Sequence, residues 1–94
     1  MHARVTHTKS EPAKTDEIIR FLKENVAPGA KKQPGFKGGY WLRDRTTGKG
    51  IGITLWESEE TMRGSDEAAK QLAAKPPTGV EITGVERYEV VHQA

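Results

Sequence analysis

Hydrophobic and polar positions alternate through "ARVTHTK", Ala3 to Lys9, where β-branched residues are frequent; this predicts a first strand. The period then changes. Ile18, Phe21, Leu22 and Val26 recur at helical spacing and predict a helix with one apolar stripe. Ser10 or Thr15 is placed to cap its start, and Pro12 suits its first turn. Pro28 and Gly29 should kink or interrupt it, and Pro34 and Gly35 should end any last turn through "AKKQ". "GFKGGYWLRDR" and "KGIGITLWE" flank "TTG" and read as a β-hairpin. "SEETM" opens a second helix, with Ser58 as N-cap and Glu59 and Glu60 in its first turn. Met62, Ala69, Leu72 and Ala73 supply its apolar side, Gly64 is placed to break it in two, and "KPPTG" ends it. "GVERYEVV" is the last strand. The order β-α-β-β-α-β predicts one ferredoxin-like α+β domain over residues 1–94, an antiparallel four-stranded sheet with helices on one face.

The apolar residues of the hairpin set a register. Aligning them pairs Tyr40 with Leu55, Leu42 with Ile53 and Asp44 with Ile51, across a two- or four-residue loop. One face then carries Phe36, Tyr40, Leu42, Ile51, Ile53 and Leu55, and this aliphatic surface is expected beneath the helices. The other carries Trp41, Trp56, Thr54, Arg43, Gly39, Gly50 and Gly52, with Gly39 opposite Trp56 so that an indole can lie over bare backbone. Two open Trp rings present roughly 300–500 Å², which matches the largest apolar patch of a typical monomer. A second copy of the sheet would cover it. Trp41, Trp56, Gly39, Gly52 and Thr54 are therefore the expected interface of a homodimer packed sheet to sheet.

Composition narrows the classes. The 94 residues make one domain and contain no Cys, which removes disulfides, thiolate metal sites and thiolate nucleophiles. No apolar run approaches the roughly 18 residues of a membrane span, and "MHARVTHTKS" has no apolar signal core. The expectation is a cytoplasmic protein with no membrane partner. The net charge is +2, but it is dipolar: Lys31, Lys32, Lys37, Arg43, Arg45 and Lys49 precede Glu57, Glu59, Glu60, Asp66 and Glu67. A nucleic-acid binder shows one coherent basic surface. "KGIGITLW" is similar to the base-stacking strand of RNA-recognition motifs, yet Ile51 and Ile53 stand where that strand needs rings, and the first strand has none. No nucleic-acid partner is expected, and an RNA-binding module is the least favoured reading.

The hairpin and its flanks, "QPGFKGGYWLRDRTTGKGIGITLWESEETM", resemble the antibiotic-biosynthesis-monooxygenase-like family of dimeric α+β barrels. The shared features are Pro34-Gly35-Phe36 leading into the second strand, the hairpin, "WES" at Trp56-Glu57-Ser58, and the closing "VERYEVV". The resemblance implies two sheets forming a barrel with helices outside, and a pocket between each sheet and its helices. Relatives include cofactor-free quinone or phenol oxygenases, haem-degrading enzymes, isomerases and proteins without known activity. The haem-degrading branch carries a Trp and a haem-ligating His on the second helix, and Ser58 to Lys75 contains neither. No cofactor is expected.

For the oxygenase branch, polar groups on the helix-facing side would bind and deprotonate an acidic phenol. Tyr40 is one candidate, and His7 is another if Ala3, Val5 and His7 share that face. Leu42 and Ile53 complete this candidate pocket for a small aromatic ligand. No catalytic residue stands out beyond these. His2 and His7 alternate faces of one strand, so with His92 they cannot converge on a metal. No G-x-S-x-G elbow or phosphate loop is present. The expected function is a cofactor-free monooxygenase, with a non-catalytic ligand-binding or stress-related homodimer as the alternative.

Overall fold

A computed structural model describes residues 1–69 and 79–94. Leu72, Ala73 and the "KPPT" of the expected helix end lie outside the described residues. The strands are β1 (His2–Lys9), β2 (Phe36–Arg43), β3 (Lys49–Trp56) and β4 (Glu81–Glu89). They form one antiparallel sheet in the order β2-β3-β1-β4, the ferredoxin-like arrangement, so β1 and β3 are central.

The first helical segment is not one regular helix. A 3₁₀ turn at Pro12–Lys14 leads into α1 (Thr15–Phe21), a π-helical turn at Leu22–Val26, and α2 (Ala27–Lys31). The Ala27 N–H donates to the Leu22 carbonyl five residues back. Pro28 has no N–H for an α-helical bond, and the wider π turn carries the chain past it. The expected interruption is therefore a π bulge rather than a break. Neither Ser10 nor Thr15 caps the helix, contrary to the sequence reading. Both hydroxyls accept from Arg43 instead, at 2.7 and 2.9 Å. Ser58 does cap α3 (Glu59–Gly64), in a reciprocal capping box with Thr61. The helix breaks after Gly64, as its glycine implied, and helical backbone resumes at 66–69.

The hairpin register is two residues away from the expected one. Tyr40 pairs with Ile53, Leu42 with Ile51 and Arg43 with Gly50. The Asp44 N–H donates to the Lys49 carbonyl, leaving a four-residue loop, 45–48. Asp44 Oδ1 accepts the Thr46 and Thr47 N–H groups at 2.8 and 3.1 Å, which holds its carboxyl below the usual value. Gly48 closes the loop at φ +79°, where a Cβ would strike the Ser10 carbonyl.

A two-residue slip keeps every side chain on its face, but the faces themselves are exchanged. The expectation that Tyr40, Leu42, Ile51, Ile53 and Leu55 lie under the helices is corrected. Tyr40 is 64% exposed and Leu42 50%. The helices cover the other side, where Trp56 is 1% exposed. Phe36 joins that side because a bulge between Phe36 and Gly38 shifts the alternation, and it meets the Trp56 ring edge-on at 5.4 Å. On β1, Arg4, Thr6 and Thr8 face the helices; Ala3, Val5 and His7 face away.

Candidate functional site

The π-bulged helix does not close down on the sheet. Ile18, Phe21, Leu22 and Val26, the stripe read from spacing, form the roof of a cavity of about 200 Å³. Its floor is Trp41, Gly50, Gly52, Thr54, Thr6 and Thr8. Two physical features keep it open. The floor is short-chained, because glycine and threonine occupy helix-facing sites where large aliphatics would fill the space. The far wall is small too, with Ala68 and Ala69 from the second helical segment.

Trp41 lies along the floor. A Cβ at Gly39 would come within 2.9 Å of its Cη2, and one at Gly52 within 3.2 Å of its Cδ1. The expected packing of an indole over glycine exists, with Trp41 over Gly39 and Gly52 rather than Trp56 over Gly39. Trp56 pairs with Phe36 and Gly39 with Thr54. The Trp56 Nε1–H donates to Thr54 Oγ1 at 2.9 Å, so its one polar atom is satisfied in the core.

Arginines hold the two ends of the cavity. Arg43 donates through Nε to Thr15 Oγ1, through Nη1 to Ser10 Oγ and through Nη2 to the Glu11 carbonyl at 3.1 Å. It ties the end of β2 to the start of the helix. Arg4, 7% exposed, donates through Nη1 to Asp66 Oδ1 at 2.8 Å, Ser65 Oγ at 2.9 Å and the Met62 carbonyl at 3.2 Å. Its guanidinium carbon stands 5.4 Å from the Trp56 ring centre, within cation–π range. Sequence reasoning missed Arg4. The signal was its place on a central strand, at a position alternating with Ala3 and Val5, where a charge must find a partner.

The four residues expected to form the pocket do not do so together. Tyr40, His7 and Ile53 stand on the open face of the sheet, away from the helices. Leu42, paired with Ile51 and alternating with Trp41, is on that open face too and half exposed, although the residue borders the cavity. The expected dimer interface is likewise corrected: Trp41, Trp56, Gly39, Gly52 and Thr54 lie on the helix-covered side of one chain. The open face has its own polar cluster. His7 Nε2 is 2.6 Å from Glu86 Oε1, and the Tyr88 hydroxyl donates to Glu86 Oε2. The Tyr88 bond, then His7, hold the Glu86 carboxyl below its usual value, and the same carboxylate pushes the Tyr88 phenol up.

Among the described residues no three His, Asp or Glu side chains gather as a metal site. Haem iron takes an axial His, Cys, Met or Tyr. None of these lines the described part of the cavity, so its residues do not fit an axially ligated haem.

No family profile and no curated protein sequence matches the chain. Solved structures do. The haem-degrader MhuD of Mycobacterium tuberculosis, solved with two haems in its active site, superposes with a TM-score of 0.71 at 22% identity, over 100% of this chain and 99% of its own. A putative antibiotic biosynthesis monooxygenase from Deinococcus radiodurans gives 0.70 at 14% identity, over 100% and 96%. A monooxygenase from the ActVA-Orf6 gene of Streptomyces coelicolor, in complex with nanaomycin D, gives 0.63 at 20% identity, over 99% and 88%. The chain therefore has the α+β fold shared by the antibiotic-biosynthesis monooxygenases and by MhuD. Among the described residues no helix is long and apolar enough to cross a membrane.

Proposed function

We propose that the chain is a cofactor-free monooxygenase that takes a small planar aromatic of the phenol or quinol type between its helices and its sheet. The observation that carries this is the cavity. At about 200 Å³ it has room for a one- or two-ring aromatic, by comparison with a dry cavity of about 150 Å³ that binds benzene. Trp41, Phe21 and Ile18 offer flat and aliphatic contact, and threonines supply the few polar atoms such sites carry. An electron-rich substrate of this type can itself reduce O₂, so the protein's part is to hold it, shield it and stabilise its reactive form. The monooxygenases of the same fold support the reading. Oxygen consumption with benzohydroquinone and naphthohydroquinone tests it. Uptake that depends on folded protein and falls when Trp41 is replaced is the expected result; no uptake across the panel would sink it.

A second reading, a non-catalytic ligand-binding protein, rests on a specific observation: the described lining holds no carboxylate or imidazole to act as general base. Binding of the same aromatics without turnover would favour it. Both readings use a homodimer, formed through the open face of the sheet. Val5, Leu42, Ile51, Ile53, Leu55 and Tyr40 present a continuous apolar surface there, in the register that places them side by side. A surface of this kind marks an interface, and a second copy offers the matching one.

A further inference from the structure

Arg4 carries a charge that its partners among the described residues do not use up. One nitrogen, Nη1, makes all three of its hydrogen bonds among the described residues. Nε and Nη2 make none there. Among the described residues the sole buried polar side-chain atom without a partner is His2 Nδ1, so neither of these nitrogens counts there as buried and unsatisfied. Arg4 borders the cavity, and its side chain is 8% exposed. The donors left over belong to a nearly buried guanidinium at the cavity wall.

The charge balance points the same way. Asp66 is shared: Oδ1 accepts from Arg4 at 2.8 Å and Oδ2 from Arg87 at 2.8 Å. Two guanidiniums thus stand on one carboxylate, and one positive charge remains at this end of the cavity. The rest of the described lining is neutral except for Arg43, each of whose three nitrogens already donates to the helix start, with Nη1 also reaching the Gly48 carbonyl. A neutral apolar ligand would leave the Arg4 donors without acceptors, whereas an oxyanion would satisfy them with charge-assisted bonds.

Resting on the aromatic-cavity reading above, we infer that Arg4 is the specificity-determining residue for an anionic aromatic ligand, a phenolate, enolate or aromatic carboxylate whose oxyanion lies against Nε and Nη2. For a phenol, the site would bind the ionised form and release the proton to solvent, so that no protein base is needed. Asp66 moderates the site by competing for Arg4.

Three probes of similar size test this: 4-nitrophenol, 4-nitrobenzoate and neutral nitrobenzene. Addition of the protein to 4-nitrophenol, held slightly below its ionisation midpoint, should increase the visible absorbance of the anion. Arg4→Gln should abolish that increase and weaken 4-nitrophenolate binding about tenfold or more, the scale of one charge-assisted hydrogen bond. Its affinity for nitrobenzene, read by tryptophan quenching, should stay within about twofold. Arg4→Lys should recover part of the anion preference, and Asp66→Asn should strengthen it. The 4-nitrobenzoate arm decides whether carboxylate or phenolate is preferred. If Arg4→Gln does not fold, the absorbance change on the wild type and the Asp66→Asn comparison still decide. Nitrobenzene binding with no anion preference in the wild type, or one unchanged in Arg4→Gln, overturns the role of Arg4 and leaves the aromatic cavity standing. Failure of all three probes to bind overturns both.

Discussion

The Trp41 ring lies against Gly52, so closely that a Cβ there would stand 3.2 Å from its Cδ1 and 3.4 Å from its Nε1. Trp41 is half-buried, on the cavity floor, and has no larger neighbour beneath it. The absence of a side chain at Gly52 is thus what lets the indole lie flat instead of rising into the ligand space. Gly52→Val should push the ring toward the helices. A cost of about 1–3 kcal/mol is expected from overpacking, together with reduced cavity volume. Urea unfolding checks the first, and loss of nitrobenzene quenching in the folded variant checks the second. Unchanged quenching would mean that Trp41 has moved elsewhere.

Trp56 contributes to stability rather than to the ligand surface alone. It is 1% exposed, with its edge contact to Phe36, its indole N–H on Thr54 and Arg4 over its ring. Trp56→Ala removes a large buried ring and should destabilise the fold by about 3–5 kcal/mol. Trp56→Phe should cost less, because it keeps the ring contact and loses the bond to Thr54. Denaturant midpoints compared at equal m-value measure both. A loss under about 1 kcal/mol for the alanine variant would contradict the burial described.

The open face predicts assembly. Leu42→Glu places a charge where Leu42 is half exposed beside Ile51, so it should not disturb the core of one chain. It should, however, make the proposed sheet-to-sheet dimer unfavourable, since each copy would bury an unpaired carboxylate. Light scattering after gel filtration should give a dimer mass for the wild type and a monomer mass for Leu42→Glu. A wild type that is monomeric at high micromolar concentration would refute the interface.

These residues show what was legible beforehand. Spacing identified Ile18, Phe21, Leu22 and Val26 as the sheet-facing stripe, of which Ile18 is buried and the others are half-buried over the cavity, and local chemistry identified the Ser58 cap, because helix periodicity and capping are short-range signals. Register was less legible. Pairing Tyr40 with Ile53 or with Leu55 puts both side chains on the same face, so alternation cannot separate the two. The Asp44 side chain decides by shaping the four-residue loop. The facing of the sheet is not legible in the same way, because the rule that the more aliphatic side is the helix-covered one does not hold here. That rule serves a sheet with one buried face and a filled interior. Here the helix-covered side keeps a cavity, so it carries Thr6, Thr8, Gly50 and Gly52, while the aliphatic side remains unpartnered within one chain. The clue lay outside the hairpin: Arg4, Thr6 and Thr8 alternate along a central strand, and Asp66, the partner of Arg4, lies at the start of the second half of the broken helix.

Glu86 makes acid sensitivity a local property of the open face. Its carboxyl is held below the usual value first by the Tyr88 hydroxyl and then by His7. A carboxylate with a depressed folded-state pKa stabilises the fold above its unfolded value, and that contribution is lost as pH falls through the folded one. The window therefore lies below about pH 4.5. Tyr88 acts at the other end. Its phenol is pushed up by Glu86, so its contribution is present below about pH 10 and is lost as the phenol ionises above that. Glu86→Gln should flatten both limbs of the stability profile by removing the contribution present between them, which is small because the cluster is exposed to solvent. Carbon-detected NMR titration of Glu86 in the wild type gives the direct reading. A midpoint at or above the ordinary glutamate value would show that neither Tyr88 nor His7 holds the carboxylate in solution, and would leave Asp44, whose loop contacts depress it in the same direction, as a contributor to the acid limb.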